Sequence, residues 1–117
     1  MGYRSDVALC LKKEDFEILK VKSAELEYDI VESASTVRFD DKDNVVVISW
    51  TWIKWYEEFE EIALVNDFLD ELDEQEKPYS FIRLGEESED NEFKEGATWA
   101  DGICNKIHMI RDIEIDI

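Results

Sequence analysis

The sequence predicts an α+β fold: a ferredoxin-like (split βαβ) βαββαβ sheet with two helices on one face and an extra C-terminal strand. Three observations predict it. Two stretches, "KKEDFEILKVKSAELE" and "EEFEEIALVNDFLDELDE", repeat apolar residues at helical spacing. Runs rich in β-branched and aromatic residues flank both of them. Between the helices lies a hairpin signal, "STVRFDDKDNVVVISWTWIKW". A chain of 117 residues is one domain's worth, so residues 1–117 read as a single domain.

In chain order, "YRSDVALCL" places Val7, Leu9 and Leu11 at period two with Ala8 and Cys10 between them, the pattern of a strand covered on both faces. Phe16, Leu19, Ser23 and Leu26 then recur at helical spacing, predicting a helix from about Lys13 to Glu27. Val37 and Phe39 alternate with Thr36 and Arg38, and Asp40–Asn44 supplies residues that tolerate tight backbone. A strand over Val45–Trp55 should turn Val46, Ile48, Trp50 and Trp52 to one face. It should turn Val45, Val47, Ser49, Thr51, Ile53 and Trp55 to the other, partly open one. The second helix, Glu57 to Glu74, has a stripe of Phe59, Ile62, Val65, Leu69 and Leu72 widened by Ala63 and Phe68; Pro78 stops it. "YSFIRLG" is a strand, "EESEDNEFKEG" an acidic loop or hairpin tip, and "KIHMIRDIEIDI" a half-buried strand with Ile107, Met109, Ile113, Ile115 and Ile117 facing in.

Charge carries the functional information. The chain has 31 acids and 13 bases, net −18, against the magnitude of about 2–8 that suffices to keep a small domain soluble. Direct nucleic-acid binding is disfavoured, because phosphate contacts need Lys and Arg. The excess is concentrated: Glu57–Glu95 holds 16 acids and 3 bases, net −13, while Met1–Tyr56 is only −3. Acids in the first turn of the second helix suit its dipole; those in its last turn oppose it. Asp67, Asp70, Glu71, Asp73 and Glu74 on the helix, with Glu86, Glu87, Glu89 and Asp90 in the loop, could form one negative face. Such a face would imitate the phosphate backbone and occupy a basic groove, with Trp55 at its edge as an anchor, since aromatics dominate interface energies. Cation binding and simple solvation are the competing readings.

Other candidates fail on their chemistry. "DDKDN" lacks the Gly and Glu that a calcium loop needs at its sixth and twelfth positions, where Val45 and Thr51 stand. His108 is the sole histidine, with no nucleophile motif to serve. There is no GxGxxG, P-loop or CxxC pair, so the reading expects no enzyme, cofactor or metal. Cys10 and Cys104 are 94 residues apart, and Cys10 lies in an apolar run that suits a buried thiol. "MGYRSDVALCLKKED" has only a short apolar run soon broken by charge, and no stretch approaches a membrane span, so the expected location is the cytosol.

The segments "MGYRSDVAL", "WIKWYEEFEEI", "VNDFLDEL" and "YSFIRLGEESED" resemble a group of small acidic proteins encoded in phage and prophage genomes. The resemblance implies a phage gene acting in the cytoplasm of a bacterial host and carries over no catalytic or binding residue. Together with the charge, it leads to an expected function. The protein would be a non-enzymatic inhibitor whose acidic face binds a basic host protein of defence or DNA processing, one that itself binds nucleic acid. The rival expectation is a structural or assembly module using an exposed aromatic sheet face with Ile53 and Trp55. The composition leaves a homodimer open and implies no membrane partner.

Overall fold

A computed structural model describes residues 2–42, 44–87 and 89–96, and the backbone of 107–109 and 113–115. In chain order the elements are β1 (Ser5–Lys12), α1 (Lys13–Ala24), β2 (Thr36–Asp40), β3 (Val45–Ile53), α2 (Glu60–Glu74), β4 (Tyr79–Gly85), β5 (Asn91–Glu95), β6 (Ile107–Met109) and β7 (Ile113–Ile115). Five strands form one antiparallel sheet in the order β2-β3-β1-β4-β5; among the described residues β6 and β7 pair with each other. The α+β class is as expected, and the arrangement agrees in general with a split-βαβ plan.

Two elements differ from expectation. The fifth strand of the sheet is Asn91–Glu95, within the stretch read as a loop or hairpin tip. "NEFKE" has one apolar residue in five, so it joins the edge through backbone bonds that no side-chain pattern announces. The C-terminal segment does not add one strand to that sheet; it reverses into two short strands that pair Ile107 with Ile115 and Met109 with Ile113. A reversal that keeps the period-two phase looks like one strand in the sequence. The inward and outward assignments made there, His108 included, concern side chains outside the described residues, as does Cys104.

Burial explains why these residues form these elements. β1 is central, and Val7, Leu9 and Leu11 point to the helix face while Ala8 and Cys10 point away; all five are fully buried. On the helix face, Phe16 and Leu19 of α1 and Ile62, Val65, Phe68, Leu69 and Leu72 of α2 close over β1, β3 and β4. On the second face, Ala8, Cys10, Val45, Val47 and Ile82 form a smaller core. The β6 backbone lies against β4 and that of β7 against β1. The second face is thus closed at its centre and partly open around it, where Ser49 is half-buried and Thr51 exposed, as its polar residues suggested.

The largest departure is at the end of β3. Ser5 of β1 pairs with Ile53 and Val7 with Trp50, so two steps on β1 oppose three on β3. The extra residue is accommodated at Trp52, whose φ is +57°. A bulky residue rarely takes that conformation. Asp6 Oδ1 accepts the Trp52 N–H at 2.8 Å, and the Arg4 guanidinium donates to the Trp52 carbonyl at 3.2 Å. The bulge inverts the alternation beyond it. Trp52, expected beside Trp50, is 57% exposed; Trp55, expected outside, is 8% exposed and packs at a tilt against Trp50 and Phe81, with ring centroids 5.1 and 5.9 Å away. Ile53 joins the same helix-face core.

Helix ends are set by short-range chemistry. α2 begins at Glu60 rather than Glu57, because Tyr56–Phe59 forms a turn closed by the Phe59 N–H on the Tyr56 carbonyl. It ends in a Schellman pattern, Lys77 N–H to Leu72 O and Glu76 N–H to Asp73 O, with Glu76 at φ +56° where glycine is favoured. α1 stops at Ala24, three residues before the expected end. In its first turn, Asp15 is buried with its side chain 1% exposed, and Lys77 Nζ donates to Oδ1 at 3.0 Å. Removing one partner of such a pair is worse than removing both, because a lone buried charge remains. Lys77→Met should therefore cost about 2 kcal/mol, below the roughly 3–5 of a fully buried pair because Lys77 is partly exposed. Lys77→Met combined with Asp15→Leu should recover most of that loss. Urea unfolding of the two variants checks the order.

Candidate protein-interaction face

The described residues sort the predicted acidic face into two groups. On α2, Asp67, Asp70, Glu71 and Glu74 are exposed. Their spacing of i, i+3, i+4 and i+7 places them on one stripe opposite the buried Ile62, Val65, Phe68, Leu69 and Leu72. Glu87 and Glu89 are exposed on the turn between β4 and β5. Among the described residues, no basic side chain pairs with any of these six. The last turn of α2 carries no base.

The other predicted residues hold the fold together. Asp90 accepts from Arg83, at 2.8 Å to Nη2, and from the Tyr3 hydroxyl at 2.6 Å. The Arg83 guanidinium, and then the Tyr3 hydroxyl, hold its carboxyl below the usual range. Arg83 also reaches Glu92 Oε1 at 2.9 Å and Ser5 Oγ at 3.1 Å. Gly85 sits against this knot; a Cβ there would meet the Tyr3 hydroxyl and the Asp90 carboxylate. Glu86, although exposed, accepts the Arg4 backbone N–H at 2.7 Å. Asp73 accepts the Tyr79 hydroxyl at 3.0 Å. Trp55, expected as an exposed anchor, is 8% exposed and packs in the core. The sequence could not separate these roles, since Tyr3 and Asp90 are 87 residues apart.

A cavity of about 230 Å³ is lined by Asn66 of α2, by Trp55 and Glu57 from the segment before it, and by Tyr3, Arg83, Asp90 and Glu92. None of Asp67, Asp70, Glu71, Glu74, Glu87 and Glu89 lines it. A larger cleft, about 480 Å³, lies around the bulge with the exposed Trp52 and Tyr28. Its charges are mixed, Arg4 and Lys54 against Glu61, and they select no ligand class.

Tyr79 gives the site a pH signature. Burial first, then its bond to Asp73, pushes its hydroxyl up to about 12. A phenol with a raised folded-state value stabilises the fold fully below its unfolded value of about 10. That stability is lost as pH rises through about 12. Denaturant midpoints should fall across this alkaline window in the native chain and fall less in Tyr79→Phe.

No helix among the described residues is long and apolar enough to cross a membrane. Compared with family models, curated proteins and solved structures, the chain matches none.

Proposed function

We propose that the protein is a non-enzymatic, phage-encoded inhibitor acting in the bacterial cytoplasm. Its acidic face takes the place of nucleic acid on a basic host protein. The observation that carries this reading is the unpaired stripe of Asp67, Asp70, Glu71 and Glu74. Seven residues of helix rise about 10 Å, so three intervals give about 3.5 Å per charge. One DNA strand carries a phosphate for about every 3.4 Å of helix axis. Such a stripe works against α2 itself. Like charges three and four residues apart destabilise a helix, as does acid in its last turn.

A ferredoxin-like reading of the scaffold is supported by the order β2-β3-β1-β4 and the two helices on one face of it. Of the residues named for the assembly alternative, Trp55 lies in the core and Ile53 is half-buried against it.

The test is capture from bacterial lysate by the immobilised protein. Capture of a nucleic-acid-binding protein should fall steeply with salt, because exposed charges are screened within about 10 Å, and free duplex DNA should compete with it. Capture that ignores both salt and duplex DNA would overturn the proposal.

A further inference from the structure

We propose that β2 is a self-association edge, through which two copies pair antiparallel with Phe39 of each on the two-fold axis. β2 ends the sheet, and among the described residues no strand pairs with its outer side. Edge strands are usually blunted against such pairing, but β2 is open. Phe39 is 52% exposed and Val37 36%. Both border a groove of about 370 Å³ on the helix face, mainly apolar through Phe16, Val31 and Ala34 and rimmed by Lys20, Asp29 and Glu32.

Charge selects the occupant. Residues 36–42 hold Arg38 and Lys42 against Asp40 and Asp41, a net charge of zero in a chain of net −18. The acidic β4–β5 turn lies toward the opposite edge, three to four strand spacings away. That is about 14–19 Å, beyond the roughly 8–10 Å over which exposed charges interact. A second copy presents the same neutral edge and keeps its own acidic face outward.

Charge also selects the register. For two copies sharing one continuous sheet with the same face outward, directly opposed residues must have numbers that sum to an even value. A sum of 76 opposes Arg38 to Arg38, and a sum of 80 opposes Asp40 to Asp40. A sum of 78 opposes Arg38 to Asp40 twice and Phe39 to Phe39. Opposed unlike charges and aromatic pairs stabilise antiparallel strands, and like charges directly opposed destabilise them.

Sedimentation of the full chain at micromolar concentration tests this. The native protein should be dimeric. Arg38→Asp and Asp40→Arg should each weaken self-association, by about tenfold or more from the two repulsive pairs each creates. Mixed in equal amounts, the two variants should dimerise with each other, because every opposed pair is then unlike in charge. Melting temperatures near the native value confirm that both are folded. A monomeric native chain, single variants that dimerise as well as the native chain, or a mixture that stays monomeric would each overturn the inference.

Discussion

Asp70→Lys combined with Glu71→Lys should abolish capture of the basic partner while making the domain more stable. The two effects have opposite signs, which is what makes the variant informative. In the native helix, Asp67–Asp70, Asp67–Glu71, Asp70–Glu74 and Glu71–Glu74 are four like-charge pairs at i,i+3 or i,i+4. Replacing the middle two residues turns all four into unlike pairs. At roughly 0.2–0.5 kcal/mol per pair in either direction, the helix should gain about 2 kcal/mol. Both side chains are exposed, so no packing is lost. At an interface, close charge pairs contribute from about 1.5 kcal/mol upwards, so replacing two attractions by two repulsions should weaken binding at least ~100-fold. Thermal unfolding and capture at low salt measure the two sides. A stabilised variant that still captures its partner would show that the stripe is a solvated surface. A destabilised one would show that the carboxylates are engaged within the fold.

The sequence made the periodic elements legible and hid whatever depends on one-residue register or long-range pairing. Val7 to Leu11, the apolar stripe of α2 and the Val45–Ile48 run announce themselves, because burial imposes their pattern directly. The inversion at Trp52 does not. One inserted residue moves every later side chain to the other face. Nothing in "SWTWIKW" says which residue will take a left-handed backbone. The responsible contacts come from Asp6 and Arg4, more than forty residues earlier. The acidic face was visible as composition, and the i, i+3, i+4, i+7 stripe could be counted. The engagement of Asp90, Glu86 and Asp73 could not be read, since it depends on Arg83, Tyr3, Arg4 and Tyr79 arriving from other strands and segments. The same charge count thus conceals two kinds of carboxylate, those that close the structure and those it leaves facing solvent.

Trp55→Ala should destabilise the domain by about 3–5 kcal/mol, the range for emptying a large aromatic from a core. Trp55 fills the space between Trp50 and Phe81, and its neighbours are themselves fixed. The Trp50 indole donates to the Ile30 carbonyl at 2.9 Å, and Phe81 lies on the central part of β4. The site therefore has little freedom to collapse into the void, which places the cost in the upper part of that range. For a domain of this size, a loss near 4 kcal/mol lowers the melting temperature by about 15 °C or more. Trp52→Ala is the matched control: the indole is largely exposed and its backbone is already strained, so its loss should cost under about 1 kcal/mol. The sequence alone predicts the reverse ranking, with Trp52 in the core and Trp55 at the surface. Melting curves of the two variants thus test the bulge directly. If Trp55→Ala melts like the native protein and instead loses its partner, the inversion after Trp52 is wrong, and Trp55 returns to the interaction face.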